Sequence, residues 1–209
     1  MELRTETLKI IVPVVLLLFQ IPFLVVFERR KPMPRDIVPI AVLSVLGALG
    51  RVLFAAIPSF NPNSAIVIIT GMQFGPLAGF LTGSMSALAS NMLLGQGPWT
   101  LWQMTAWGIM GCLAGMFERM GWFSHRVVLY GFGFLSGILF GWFMNLQYLL
   151  GYVNPLTWKA FAASCASSFV FDLAHGGSTF LFLLIMERPW GRKLKRLRTK
   201  YGILEKRRQ

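Results

Sequence analysis

Long apolar runs, separated by short polar or basic segments, extend along the chain and predict membrane-spanning helices. The first run, residues 8–27, has 20 residues, which is enough to cross a hydrocarbon core of about 30 Å. A later run, residues 64–75, has only 12 residues and breaks at Pro76, so its roughly 18 Å of helix cannot cross alone. The other predicted spans are 37–57, 77–94, 101–117, 127–150 and 158–186. The pattern therefore predicts an all-α integral membrane protein with seven crossings, of which one is short.

Small residues recur every fourth position through the short run and the span after it, at Gly71, Gly75, Gly79, Gly83 and Ala87. This spacing places them on one helical face, where a neighbouring helix can approach closely. A second series lies in the string GFGFLSG (131–137), which resembles a dinucleotide fingerprint only superficially because it lies within a predicted membrane helix. Both series therefore predict helix packing.

Composition agrees with a membrane location: 55% of the 209 residues are hydrophobic, 13% are charged, and the mean hydropathy is +0.60. The formal net charge of +12 comes from basic residues beside apolar spans, where they set orientation, so nucleic acid is not expected as a partner. They concentrate after the first span (Arg29, Arg30, Lys31, Arg35), after the fifth (Arg119, Arg126) and in the tail 190–209. The positive-inside rule predicts a cytoplasmic C-terminus and an N-terminus outside.

Two uncharged polar turns bracket the glycine-rich region, namely PSFNPN (58–63) and GQGPWTLWQ (95–103). They offer flat aromatic faces and amide groups, which suit a neutral or mixed organic ligand. Aromatic residues at span ends also form interfacial belts, which is the competing interpretation. The candidate binding residues in and near these turns are Phe60, Asn61, Asn63, Asn91, Gln96, Trp99, Trp102, Gln103 and Asn145.

Ionisable residues inside the predicted spans are few and are therefore informative. Arg51 and Asp172 each lie 14 residues from the basic side of their spans, about 21 Å of helix, so the two can pair. Either this pair is structural, or one member contacts the ligand. His175, one turn beyond Asp172, joins it as a binding candidate.

Catalytic motifs are not evident in the sequence. It has no Walker A run, no GxSxG and no HExxH string, so we expect neither a catalytic residue, a metal site, a cofactor nor an ATPase. Cys112 and Cys165 lie in apolar segments and suit packing rather than disulfide or zinc chemistry. A small channel and a membrane enzyme remain as alternatives to a receptor, although polar residues crowd one half of the spans.

Four strings resemble the substrate-binding S-components of energy-coupling factor (ECF) transporters of the vitamin type. They read GRVLFAAIP (50–58), FGPLAGFLTGSMSALASN (74–91), GQGPWTLWQMTAWGIMGCLAG (95–115) and FDLAH (171–175). The resemblance implies a compact six-helix bundle over residues 37–189. It leaves residues 1–36 as an additional N-terminal membrane helix with a basic loop, and 190–209 as a basic cytoplasmic tail.

What the resemblance implies is a prokaryotic cell-membrane receptor that captures a vitamin outside and associates with a transmembrane coupling protein and two cytoplasmic ATPases. The long GQGPWT string looks most similar to cobalamin-related members; folate, thiamine and a queuosine precursor are the alternatives. Family members dock through small residues on the first core helix, which here correspond to Ser44, Gly47 and Ala48.

Overall fold

The computed structural model describes the backbone of residues 2–204 and the side chains of residues 7–204. Seven α-helices follow one another in that range, with a 3-10 turn at Trp122–Ser124. They are α1 (Glu2–Arg29), α2 (Pro34–Leu53), α3 (Asn63–Phe74), α4 (Pro76–Leu94), α5 (Trp99–Arg119), α6 (Arg126–Tyr152) and α7 (Trp158–Tyr201). The predicted all-α class is confirmed, and each predicted run corresponds to one helix. One boundary was wrong, because α2 ends at Leu53 and irregular turns occupy residues 54–62.

Five of the described helices are long and apolar enough to cross a membrane, namely α1 from Thr7 onward, α2, α4, α6 and α7. Helix α3, with 12 residues, is too short, as its length predicted. Helix α5 has 21 residues, but threonine, glutamine and glycine dilute its apolar character. The membrane class is therefore confirmed, whereas the count of seven crossings stays a prediction.

Helix α3 forms the centre of the bundle. Eleven of its 12 residues are buried, and α2, α4, α5 and α7 all pack against it. A helix enclosed by others does not need to match the bilayer thickness, because its ends are covered by protein and not by lipid. The short run therefore organises the fold without crossing the membrane alone.

Glycines bring the backbones of α3, α4 and α5 into direct contact, as their spacing predicted. A Cβ atom on Gly71 or Gly79 would overlap the carbonyl oxygen of Gly111 on α5. A Cβ on Gly115 would lie 2.5 Å from the backbone nitrogen of Pro76. Between α3 and α4, Gly75 has a φ of +94°, a conformation that glycine adopts without steric cost. These contacts require glycine, because the atoms opposite are backbone atoms that cannot move aside.

The N-terminal helix α1 packs on α4 and α5 through hydrogen bonds at Gln20 and through aromatic contacts with Phe80. The Gln20 Nε2 donates to Thr105 Oγ1 at 2.9 Å, and Ser84 Oγ donates to Gln20 Oε1 at 2.9 Å. The Phe23 and Phe80 rings stack with centroids 3.5 Å apart. Gln20 is buried in an otherwise apolar helix. These hydrogen bonds therefore fix the position of α1 along the bundle and its rotation about its own axis.

Helix α7 continues past its apolar part and runs beneath the bundle. Arg198 Nη1 donates to the Gln73 carbonyl at 2.6 Å, at the end of α3. Just after α7, the Leu204 nitrogen donates to Asp36 Oδ1 at 2.7 Å, at the start of α2, and Ile203 is buried. The sequence predicted residues 190–209 as a basic cytoplasmic tail. Its part up to residue 204 contacts the bundle at these points, although its basic side chains are exposed, and 205–209 lie outside the described residues.

The basic segments gather at this same end of the molecule, called the basic end below. Arg30 and Arg119 line one small cleft there, and Arg119 also faces Arg126 and the α7 extension across a larger cavity. Arg126 forms an ion pair with Glu187. Its hydrogen bond to Glu187 raises the pKa of Arg126 above its ordinary value.

Candidate functional site

A connected set of polar side chains joins α2, α4 and α5 at the end of the bundle opposite to the basic end. Arg51, near the end of α2, donates from Nη1 to Asn91 Oδ1 at 3.1 Å and to Ser90 Oγ. Asn91 donates from Nδ2 to Gln103 Oε1 at 2.9 Å and to Thr100 Oγ1 at 3.1 Å. These hydrogen bonds place the guanidinium among neutral amides and hydroxyls.

The loop between α4 and α5 supports this set of residues. Thr100 donates to Gln96 Oε1 at 2.8 Å and accepts from the Gly97 nitrogen at 3.3 Å. The Gln96 amide donates back to the Leu88 carbonyl on α4 at 3.3 Å. Proline and glycine in this loop prevent it from continuing either helix, so its polar groups turn inward to side-chain partners.

A second chain of contacts links the guanidinium to α3 and α7. The Arg51 Cζ lies 4.6 Å from the centroid of the Trp107 ring, within cation–π distance. Trp107 donates from Nε1 to Ser64 Oγ at 2.9 Å, and Ser64 Oγ lies 2.8 Å from His175 Nε2. The Phe140 ring packs edge-on against His175 at 4.7 Å. Arg51, Trp107, Ser64 and His175 therefore form one polar centre shared by four helices.

Arg51 has no acidic partner among the described residues. Its contacts there are the neutral side chains of Ser90 and Asn91 and the Trp107 ring. A charged group inside a membrane protein is costly unless it is paired or solvated, so such a residue marks a functional position. The polar centre therefore carries a positive charge that no acidic side chain among the described residues offsets, and such a charge favours an anion.

The predicted ion pair between Arg51 and Asp172 is wrong. Asp172 accepts a hydrogen bond at Oδ2 from Ser168 at 2.9 Å, and Ser168 accepts one from Asn145 Nδ2 at 2.9 Å. The other carboxylate oxygen of Asp172 lies against Gly141 on α6. Asp172 thus faces the α6–α7 contact, whereas Arg51 faces α4 and α5. The equal depth predicted for the two residues does not determine which sides of their helices face each other.

The turn before α3 has structural contacts. Asn61 Oδ1 accepts from the Asn63 nitrogen at 3.1 Å, which forms an Asx turn just before α3. The Phe60 ring packs against Phe54 and Phe182, with centroids 5.5 and 5.4 Å away. Asn63 is fully buried against Gly47 on α2, and its amide atoms have no hydrogen-bond partner among the described residues. These three predicted binding residues hold the turn onto α2 and α7 and lie outside the polar centre's hydrogen bonds.

The two predicted tryptophans of the α5 start also lie apart from the centre. The Trp99 ring packs over Gly97 of its own loop. Trp102 contacts the Phe143 ring at 5.0 Å and lines a cleft of about 230 Å³ with Pro98, α1 and α6. The tryptophan that reaches the polar centre is Trp107, two helical turns further along α5.

The predicted docking residues are buried inside the bundle, which corrects their assignment to a surface. Ser44 and Ala48 are each 3% exposed, and Gly47 lies against Asn63 and Ser86. Ser44 donates to the Ile40 carbonyl at 2.8 Å, within its own helix. The small residues face inward because α3 and α4 need close approach there, and the exposed face of α2 carries larger side chains.

Sequence reasoning missed Ser64, Ser90, Thr100 and Trp107 as parts of the centre. Each lies within or directly beside one of the polar turns or family-like strings described above. None differs in type from ordinary packing or capping residues. Small hydroxyls and buried indoles are common in membrane helices. Only the three-dimensional convergence on Arg51 identifies them.

The fold and this centre define a helical membrane protein with a polar interior at one end, beneath two uncharged turns. Residues 35–186 match the family model described as ECF transporter, substrate-specific component. That match covers more than half of the chain, and the chain belongs to this family. The predicted membership among ECF substrate-specific components is thereby confirmed, and with it the role of a transport subunit, whereas the vitamin type and the cobalamin-related group stay predictions. Helix α1 lies outside the matched residues.

Relatives among curated proteins are distant. A UPF0397 protein of Aliivibrio fischeri (strain MJ11) is 27% identical over 168 residues, covering 72% of this chain and 85% of the relative. A UPF0397 protein of Vibrio atlanticus (strain LGP32) is 29% identical over 91 residues, 41% of this chain and 50% of the relative. No solved structure matches this chain.

Proposed function

We propose that this chain captures a vitamin or related small organic molecule that carries an anionic group, and that Arg51 binds that group. The receptor then delivers its ligand to a transmembrane coupling protein and two cytoplasmic ATPases, as its family implies. The single observation that carries the proposal is a guanidinium inside the bundle whose hydrogen-bond partners are all neutral.

The hydrogen bonds of Arg51 leave donors for a carboxylate. Its hydrogen bonds to the described residues all start at Nη1, so the Nη2 and Nε donors face no protein acceptor. A guanidinium presents its donors as a planar fork that matches a carboxylate or phosphate with two parallel hydrogen bonds. Binding such a group would compensate a charge that the protein leaves unpaired.

The surrounding residues supply the remaining contacts of a ligand site. We propose Asn91, Gln96 and Gln103 as its amide rim, Trp107 as its aromatic wall, and His175 with Ser64 as its deepest polar groups. Phe60, Asn61, Asn63, Trp99, Trp102, Asn145 and Asp172, proposed from sequence as binding residues, have the structural contacts described above and act by shaping the bundle. The ligand enters between the two uncharged turns, from outside the cell.

The positive charge of Arg51 favours those candidate vitamins that carry an anionic group. Folate carries carboxylates and cobalamin carries a phosphate, so both offer an anionic group to a guanidinium. Thiamine is a cation, and a cation beside Arg51 would meet like-charge repulsion. We therefore propose folate-like and cobalamin-like ligands ahead of thiamine. Uncharged queuosine precursors would rely on the amides alone.

Ligand identification tests this proposal directly. Protein purified without its coupling partners, then denatured, should release about one small molecule per chain, which mass and absorption spectra identify. The released compound should bear a carboxylate or phosphate. Recovery of a cationic ligand would contradict the role of Arg51, while the absence of any vitamin-class ligand, with no uptake when the coupling module is co-expressed, would contradict the receptor function.

A further inference from the structure

The basic end contains a large cavity that the ligand site does not use. Its volume is about 1050 Å³, and the α3–α4 break, the loop between α5 and α6, and the α7 extension surround it. Six basic side chains line this basic cavity: Arg119, Arg126, Arg188, Arg192, Lys195 and Arg198. Two acidic side chains, Glu118 and Glu187, are its counter-charges. The cavity therefore keeps a positive excess.

The excess is not neutralised by ion pairs. Among the described residues, Glu187 pairs with Arg126. On α7, Arg188, Arg192 and Lys195 recur at intervals of three to four residues, so they occupy one helical face that is turned to the cavity. Lys193 and Arg196, on other faces of the same segment, are exposed and do not line it. One face of the extension thus concentrates positive charge toward this open cavity.

An apolar groove, in contrast to the basic cavity, lies between α5 and α6. Its volume is about 410 Å³, and apolar side chains line it almost completely. Its walls include Ile109, Leu113 and Phe117 on α5, and Leu135, Leu139 and Phe143 on α6. On α5 the lining extends from Ala106 to Phe117, about 16 Å of helix, which matches the depth of one leaflet in a hydrocarbon core of about 30 Å. The groove is thus as long as the apolar part of one leaflet.

The groove and the basic cavity adjoin each other. Phe117 lines the groove, and the next two residues, Glu118 and Arg119, line the cavity. The Phe117 ring lies 6.1 Å from the ring of Phe123, which belongs to the cavity wall. An occupant can therefore touch both, with an apolar part in the groove and a charged part in the cavity.

We propose that these two features together bind one anionic phospholipid of the leaflet at the basic end, with its phosphate headgroup in the basic cavity and an acyl chain in the α5–α6 groove. A free phosphate would satisfy the cavity but leave the groove unused. A zwitterionic headgroup would bring a second cation among six basic side chains. The combination selects a lipid with net negative charge.

Native mass spectrometry of the full chain tests the headgroup. Protein in mild detergent is mixed with phosphatidylglycerol or phosphatidylcholine, and the retained lipid is counted. Phosphatidylglycerol should be retained preferentially, and the double variant Arg192→Gln/Lys195→Gln should weaken its retention roughly tenfold or more, because each basic residue near an anionic headgroup contributes about fivefold. The matched control Lys193→Gln/Arg196→Gln removes the same charge from the outer faces of α7 and should leave retention unchanged.

A second arm tests the groove. Ile109→Trp fills it and should reduce phosphatidylglycerol retention, whereas Met116→Trp, on an exposed position of α5 outside the groove, should not. Inorganic phosphate at equal concentration should fail to displace the lipid. Equal loss in both double variants, retention unaffected by Ile109→Trp, or full displacement by inorganic phosphate would each overturn the proposal. Melting curves of every variant verify that the bundle remains folded.

Discussion

Replacing Arg51 with glutamine separates charge from hydrogen bonding, because an amide can still donate to Asn91. A charge-assisted hydrogen bond contributes about 1.5 to 3 kcal/mol, so affinity for an anionic ligand should fall at least tenfold. The melting temperature should stay or rise, since the variant no longer contains an unpaired cation. Titration calorimetry and thermal unfolding of the same samples measure the two effects. A large loss of stability with unchanged affinity would mean that Arg51 is structural.

A double substitution tests the separation of Arg51 from Asp172. Because the two side chains have different partners, Arg51→Gln and Asp172→Asn should change the free energy of unfolding additively, to within about 0.3 to 0.5 kcal/mol. Asp172→Asn alone should leave ligand affinity unchanged. Thermal unfolding of the four proteins in the cycle gives the coupling energy. Coupling of about 1 kcal/mol or more would restore the ion pair that the sequence predicted.

At the scale of single residues, the sequence showed which residues belong to the polar centre better than it showed which of them contact each other. A buried arginine, amides and a histidine are conspicuous in an apolar chain, and Arg51, Asn91, Gln103 and His175 do meet in one centre. Helix rise predicted an equal depth for Arg51 and Asp172, but it gave no information on their direction around the bundle. That direction depends on how α2 and α7 rotate to pack their small residues, which the local pattern does not encode.

For the helices, the glycine contacts provide a matched pair of substitutions. A methyl group on Gly111 would overlap the Gly79 carbonyl, whereas Gly131 faces open space on α6. Overpacking costs about 1 to 3 kcal/mol, and alanine gains up to about 1 kcal/mol over glycine in a helix interior. Gly111→Ala should therefore lower the melting temperature and Gly131→Ala should keep or raise it. Equal effects in thermal unfolding would mean that α4 and α5 are not held together by this contact.

Helix order and glycine packing were predictable because each leaves a local, periodic signal. The path of the α7 extension left no such local signal in the sequence. Its basic residues predicted orientation, and nothing in their spacing indicated that Arg198 would reach Gln73 or that the chain after it would reach Asp36. Contacts between residues more than 100 positions apart depend on the assembled bundle. For the same reason, namely dependence on the assembled bundle, the sequence did not indicate that Ser44, Gly47 and Ala48 are buried.

In the whole molecule, charge is distributed along one axis. The basic segments gather at the basic end, where two of them line the basic cavity, and the polar centre lies beneath uncharged turns at the other end. The basic segments lie more than 60 residues apart in the sequence, yet the alternation of spans predicted that they would share a side. Under the proposed function, this arrangement would present the polar centre to one compartment and the positive face to the other.

The orientation of this axis in the cell gives the last prediction. By the positive-inside rule the basic end should face the cytoplasm, so the turn after α2 should be accessible from outside. In a background with Cys112→Ala and Cys165→Ser, a cysteine at exposed Ala56 should react with a membrane-impermeant maleimide in intact cells. A cysteine at exposed Arg196, on the α7 extension, should react only after the cells are opened. The reverse labelling would place the ligand centre on the cytoplasmic side and contradict its role in uptake from outside.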